Sequence, residues 1–188
     1  MLDSESRWAL VKKLRAKGAE PEKELTIRAC EAKDLPQIRD IYNYFIRNTV
    51  VTFDEEPLEL SDWQEKFELI QKNNLPFISL LSESGEVIGF AYCTPWKQKS
   101  AYKKTVENTI YLSPAATGRK LGGRLLEALI AQCREAGIKE IIAVIADRGA
   151  DASIKLHRRY GFADQGHLGK VGVKFGKPVG TLLMQLSL

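Results

Sequence analysis

Residues 112–123, LSPAATGRKLGG, join a run that reads as a strand to a run that reads as a helix. Upstream, TVENTIYLS (105–113) alternates Val106, Ile110 and Leu112 on one face with Thr105, Glu107, Thr109 and Tyr111 on the other, which is strand period. Downstream, GGRLLEALIAQCREAG (122–137) reads as a helix that stops at Gly137, a residue suited to the position just past a helix end. The turn between them gathers Gly118, Gly122 and Gly123 with Arg119, Lys120 and Arg124. A helix N-terminus presents unpaired N–H groups and about half a positive charge, and glycines let the backbone approach a phosphate, so the turn is an anion-site candidate. Glycines and cations are also ordinary constituents of loops. Neither Gly-Lys-Ser/Thr nor G-x-G-x-x-G occurs, which excludes the two commonest nucleotide-binding turns.

Working outward, LTIRAC (25–30) is a predicted strand, and EAKDLPQIRDIYNYFIRNT (31–49) a helix with Leu35, Ile38, Ile41, Tyr42 and Phe45 at helical period. A second helix is predicted at 61–73 with Ser61 as N-cap and Trp63, Phe67 and Ile70 on one face. The loop VVTFDEEPLEL lies between the two. FISLLSESGEVIGFAYCTPW (77–96) is a hairpin pattern turning at Ser84-Gly85. KEIIAVIAD (139–147) reads as a buried strand, DASIKLHRRYGF (151–162) as a short helix closed by Gly161, and TLLMQLSL (181–188) as a last strand. This order fits an α/β (α+β) fold with a mixed, mostly antiparallel sheet and helices on both faces. Residues 4–17 form a candidate amphipathic basic helix (Trp8, Val11, Leu14), so 1–24 reads as an appendage and 25–188 as one domain.

Composition narrows the class. With 188 residues, 44% of them hydrophobic and 28% charged, the chain suits a single globular domain that buries a core without disulfides or metal. A net charge of +4 suits a small polyanionic ligand and falls short of a nucleic-acid footprint, and no run of apolar sequence reaches membrane-spanning length. Cys30, Cys93 and Cys133 form neither a CxxC nor a cluster with histidine, so no zinc site or disulfide framework is indicated and a reducing compartment is expected. The first residues lack a continuous apolar stretch of signal type, which leaves the cytoplasm as the expected location.

FAYCTPWKQKSAYKKTVENTIYLSP (90–114), TFDEEP (52–57), ASIKLHRRYGF (152–162) and VGVKFGK (171–177), in this order of segments, resemble the GNAT superfamily of acetyl-CoA-dependent N-acetyltransferases. More narrowly they resemble its phosphinothricin N-acetyltransferase branch, whose members acetylate the α-amine of glutamate-like phosphinates, methionine sulfoximine or methionine sulfone. The likeness runs from about Leu25 to Leu188. It implies direct transfer from acetyl-CoA to the amine of a small amino acid or analogue, and a homodimer. It also identifies the turn as the one that wraps the pyrophosphate of coenzyme A, written Q/R-x-x-G-x-G/A in the superfamily. Aligned on Ser113-Pro114, Thr117 stands at the Q/R position, Lys120 at the first glycine and Gly122 at the second.

The resemblance places Ile110, Tyr111 and Leu112 along the pantetheine arm. Thr117, Gly118, Arg119, Lys120, Leu121, Gly122 and Gly123 fall around the pyrophosphate, with Ser153 also on the cofactor side. Ala150 stands where the helix motif expects asparagine, while Ser153, His157, Gly161 and Phe162 match it. Phe53, Lys97 and Tyr102 match acceptor-pocket positions, and Lys99 stands where some relatives carry an arginine. GKPVG (176–180) replaces the branch's G-x-W-x-D, with Pro178 and Gly180 in place of tryptophan and aspartate.

Amine acetylation needs a neutral nucleophile, and an α-ammonium group loses its proton only near pH ~8, so a base is required. Glu107 is the candidate base, in a mostly apolar strand where desolvation would raise its pKa; the same pattern also fits a glutamate on a solvent face. His157 shares a helix face with Ser153 and is, by the resemblance, a second acid/base group; residues alone favour a structural or surface histidine. A module that binds acyl-CoA or a protein without turnover is an alternative, motivated by Lys120, Ala150 and Pro178. A transferase for a different amine is another, although the cationic loop 97–104 opposes a cationic acceptor.

Overall fold

Seven strands and four helices follow one another in residues 25–188, the part of the chain that the structure, a computed structural model, describes. In chain order they are β1 (Thr26–Ala29), α1 (Leu35–Asn48), α2 (Leu60–Lys72), β2 (Phe77–Leu81), β3 (Val87–Pro95) and β4 (Thr105–Leu112). Then come α3 (Leu121–Glu135), β5 (Glu140–Ala146), α4 (Asp151–Arg159), β6 (Ala163–Lys174) and β7 (Lys177–Ser187). The helix expected at 4–17 lies outside the described residues. The strands form one mixed sheet in the order β1-β2-β3-β4-β5-β7-β6. Every neighbouring pair is antiparallel except β4 and β5, as the expected fold class requires.

Strand alternation divides the core between the two faces of the sheet. Phe77, Leu81, Phe90 and Tyr92 face α1 and α2, where Ile38, Ile46, Trp63 and Ile70 are buried with them. The intervening Ile78, Leu80, Ala91 and Cys93 face the apolar side of α3, built from Leu125, Leu126, Leu129 and Cys133. The strand FISLL, apolar except for Ser79, therefore has both faces covered. All three cysteines are free and buried, and the Cys93 and Cys133 sulfurs lie 3.4 Å apart. β1 is tied to the start of α1 by the Arg28 guanidinium, which donates to both Asp34 carboxylate oxygens at 2.7 and 2.8 Å, while Ser79 Oγ adds a third bond at 2.9 Å.

Helix ends follow local chemistry. α3 ends with Gly137 at φ 73°, its N–H bonded to the Arg134 carbonyl and the Ile138 N–H to the Cys133 carbonyl, which closes the helix as expected from the glycine. α2 begins one residue earlier than predicted. Asp62 Oδ2 accepts the Glu59 N–H at 2.7 Å, so Glu59 is the N-cap and Ser61 lies within the first turn. β6 has no counterpart among the predicted elements. It is the sheet's outer strand, exposed along almost all its length and interrupted by irregular register near Asp164 and between Leu168 and Gly172, so its sequence shows no apolar alternation. It returns into β7 through Phe175 and Gly176, both at positive φ (51° and 68°), the conformation of a tight hairpin.

One irregularity positions the site. β4 and β5 pair only at Thr105–Glu140, Val106–Ile141 and Glu107–Ile142. β5 then follows β7 over its whole length, from Glu140–Ser187 to Ala146–Thr181, and β4 follows β3 from Val106 to Leu112. Past Glu107 the two parallel strands separate, and a wedge opens between them.

Candidate active site

The wedge holds a cavity of about 710 Å³. Its walls come from β4 residues 107–112, the turn at 117–123, β5 residues 143–145, the start of α4, and Tyr42 with residues 51–54 on the opposite side. Glu107 stands where the strands part. It is half-buried, and desolvation pushes its carboxyl above the ordinary glutamate range. Asn108, which follows it, points to the other face of β4, where its Nδ2 lies 2.9 Å from His157 Nε2. His157 Nδ1 lies 2.8 Å from the Ser153 carbonyl oxygen one turn back in α4. A carbonyl only accepts, so Nδ1 carries the proton and Nε2 accepts from the Asn108 amide. Burial holds the ring's pKa below the ordinary imidazole value despite the Ser153 carbonyl, so the neutral form is the resting one.

Opposite β4, aromatic rings and one carboxylate line the cavity. Tyr42 donates its hydroxyl proton to Asp54 Oδ2 at 2.6 Å, which leaves the Thr52 hydroxyl to donate to the Tyr42 oxygen at 2.8 Å. The Tyr42 ring meets the Tyr111 ring edge-on at 5.1 Å, and burial raises both phenols. The Lys174 ammonium lies beneath the same segment and donates to the Thr52 carbonyl at 2.8 Å. Phe53 lines the cavity at 40% exposure, and its ring rests on Gly172 of β6, where even a Cβ would collide with it. Lys97, Lys99 and Tyr102 do not form part of this wall. They are exposed on the loop between β3 and β4, with the Lys97 ammonium 5.9 Å from the Tyr102 ring centre. That loop enters β4 two residues before Glu107.

At the other end the turn contributes Thr117, Gly118, Lys120, Leu121, Gly122 and Gly123 to the wall, while Arg119 is exposed outside it. Lys120 is the N-cap of α3 and adopts φ 59°, ψ 12°, the left-handed conformation that glycine adopts without strain. Gly118 has φ 75°. The Leu121 and Gly122 N–H groups, in the first turn, have no intrahelical acceptor. The Thr117 hydroxyl is committed to the Pro114 carbonyl at 2.8 Å, so its proton serves the turn itself. A side chain at Gly123 would meet the Tyr160 hydroxyl, which lies 2.8 Å from where its Cβ would stand.

The profile of the acetyltransferase (GNAT) family matches residues 38–162. The chain belongs to that family. It is 35% identical over 163 residues to the phosphinothricin N-acetyltransferase of Alcaligenes faecalis, covering 87% of this chain and 82% of that protein. It is 36% identical to the L-methionine sulfoximine/L-methionine sulfone acetyltransferase of Pseudomonas aeruginosa, covering 87% and 94%. The crystal structure of a GNAT superfamily phosphinothricin acetyltransferase from Sinorhizobium meliloti in complex with acetyl-CoA superposes with a TM-score of 0.83 at 39% identity, covering 87% of this chain and 88% of that one.

Within this family frame the structure explains one departure. Gly180, where the branch has aspartate, donates its N–H to Asp147 Oδ1 at 2.9 Å, and a Cβ there would run into the Asp147 carboxylate and the Leu168 carbonyl. The Asp147 carboxylate at the end of β5 thus leaves no room for a side chain at position 180. Its other oxygen accepts from His167 Nε2 at 2.9 Å, and that bond, with the Gly180 N–H, holds Asp147 below the usual carboxylate range. Three site residues were not legible beforehand. Asn108 shares a strand face with Val106, Ile110 and Leu112, where the alternation leads one to expect an apolar residue, and Tyr42 and Asp54 meet only because the loop after α1 folds back on it.

Proposed function

We propose that the protein transfers the acetyl group of acetyl-CoA to the α-amine of a small amino acid or analogue of the phosphinothricin, methionine sulfoximine or methionine sulfone type. The observation that carries this reading is Glu107, a half-buried carboxylate with a raised pKa at the apex of the wedge, beside a β4 edge that β5 leaves unpaired. Acetyl-CoA supplies an activated acyl thioester. The residues fit such a molecule: residues 109–112 offer strand-like backbone partners to an extended amide-containing arm, and the first-turn N–H groups of α3 with Lys120 and Arg119 suit a pyrophosphate.

Glu107 takes the proton of the acceptor's ammonium, directly or through water, and leaves the amine lone pair free to attack the acyl carbon. The carbonyl oxygen gains charge in that step, and a backbone N–H near Tyr111 or Leu112 on the free β4 edge stabilises it; the C–S bond then breaks, coenzyme A leaves as its thiolate, and the thiolate takes up the proton lost as the nitrogen becomes an amide. No covalent acyl-enzyme is part of this reading, because burial keeps Cys93 protonated and Cys30 is pushed up to about 12. Phe53 and Asp54 shape the acceptor end. Lys97, Lys99 and Tyr102 are proposed contacts for the acceptor's acid group, supported by their place on the loop that leads into Glu107. Ser153 is proposed on the cofactor side, and His157, which also lines the cavity, as the second acid/base group.

A cytoplasmic homodimer completes the reading. The support for the dimer is the outer strand β6, whose outer edge pairs with no other strand among the described residues and which carries exposed Leu168, Val171 and Val173, with Phe175 just beyond, and sedimentation velocity tests it. The activity is tested by thiol release from acetyl-CoA with methionine sulfone, methionine sulfoximine, phosphinothricin and common amino acids. Turnover with at least one confirms a transferase of this class. Coenzyme A binding with no turnover on any of them refutes the reading in favour of a module that binds without catalysis.

A further inference from the structure

Among the described residues only two buried side-chain polar atoms have no hydrogen-bond partner, Trp63 Nε1 and Asn108 Oδ1. An unpartnered buried carbonyl costs about 1–3 kcal/mol, so the second calls for a reason. Asn108 is 7% exposed, contributes to the cavity wall, and donates through Nδ2 to His157 Nε2. The opposite ring nitrogen cannot change role, because a carbonyl oxygen faces it at 2.8 Å. Any proton gained by the ring therefore goes to Nε2, which then becomes a donor pointing at a donor. The amide resolves this conflict by rotation about its Cβ–Cγ bond, a broad torsion that exchanges two groups of nearly equal size.

We propose that Asn108 is a positioning residue that acts through His157: its Nδ2 donates to the neutral ring, and its Oδ1, idle in that state, turns to accept the Nε2 proton when the ring is protonated. The imidazolium then has an acceptor at each nitrogen, Ser153 O and Asn108 Oδ1, and a buried cation is tolerated without a carboxylate partner. The surroundings support a neutral partner in this role. The ring is met edge-on by Phe162 at 4.8 Å, Ser153 Oγ lies 3.4 Å from Nδ1, and Glu107 points to the other face of β4. The charged residues of α4 itself, Asp151, Lys155, Arg158 and Arg159, are exposed, and Arg158 is paired with Asp164. A proton can thus be held at His157 and released again during acetyl transfer with the ring kept in place.

The test reads the ring and needs no turnover, so it stands apart from the proposed acceptor. The chain has two histidines, and His167→Asn leaves one imidazole for two-bond ¹⁵N–¹H correlation. Near neutral pH the expected spectrum shows His157 protonated at Nδ1 with a pyridine-type Nε2. Asn108→Asp supplies acceptors only, and the imidazolium should persist to a pH higher by about one unit or more. Asn108→Leu, which offers no acceptor, should shift the titration the other way. An Nε2–H tautomer in the parent protein, or one unchanged titration across the parent and both variants, overturns the proposal; the tautomer measurement holds even if a variant fails to fold.

Discussion

Lys120→Gly separates the two contributions a lysine makes at the head of α3. The backbone already has the conformation glycine prefers, φ 59° and ψ 12°, so the substitution leaves the turn's shape unchanged. A non-glycine residue there carries about 1–2 kcal/mol of strain. Glycine's greater freedom in the unfolded chain offsets about 0.5–1 kcal/mol of the relief. The folded state should gain about 0.5–1 kcal/mol, a rise in Tm of about 1–4 °C for a chain of this length. The ammonium, however, is lost from the wall that faces the proposed pyrophosphate, and an exposed charge contact of this kind is worth about 1.4- to fivefold in affinity. Thermal unfolding without ligand and calorimetric titration with coenzyme A at low and high salt would show a more stable protein that binds more weakly, with the difference shrinking as salt rises. Coenzyme A binding that is unchanged or tighter at low salt would show that the ammonium does not meet the phosphates. A lowered Tm would show that the left-handed backbone stores no strain.

Glu107→Gln should lower kcat by about 10²–10⁴ and remove the acidic limb of the pH profile, which lies above the ordinary glutamate pKa. It should also stabilise the fold above that limb: a carboxyl raised in the folded state favours folding at low pH, and that benefit is lost as pH rises through its folded pKa, whereas glutamine has no such loss. Gly172→Ala pushes against the Phe53 ring, so the acceptor KM should rise several-fold in steady-state assays while the coenzyme A Kd holds; an equal change in both would place Phe53 elsewhere. Asp34→Asn strips a buried carboxylate from Arg28, Ser79 and the Glu31 N–H, and urea unfolding should report a loss of about 2–4 kcal/mol. Burial opposes the Asp34 charge, but these bonds hold its pKa below the usual range, so the contribution is present above the unfolded pKa and fades as pH falls through the folded one.

The elements legible in the sequence were those whose burial writes a period into the chain. The β2–β3 hairpin alternates between two cores, and α1 and α3 carry one apolar stripe each. Gly137 marked a helix end because only its left-handed conformation closes the last carbonyls. β6 carried no such record, since an outer strand exposed almost throughout has no apolar alternation to show. Ser61 was misplaced for a local reason: the choice of N-cap depended on a side chain, Asp62, reaching back to the Glu59 N–H.

For the site, the kinds of chemistry were present in the chain and their geometry was not. Glu107, His157 and the turn at 117–123 could be singled out through the family resemblance, whereas the residues alone also fit a solvent-face glutamate, a structural histidine and an ordinary loop. That Lys120 takes up a glycine's conformation, that Asp147 packs against Gly180, and that Asn108 meets His157 across 49 residues of chain were decided by the fold. The same holds for the site itself. Local sequence specifies the pairing preference and period of a strand, but the wedge exists because β5 follows β7 while β4 follows β3. That divergence is a property of the whole sheet and of no single segment.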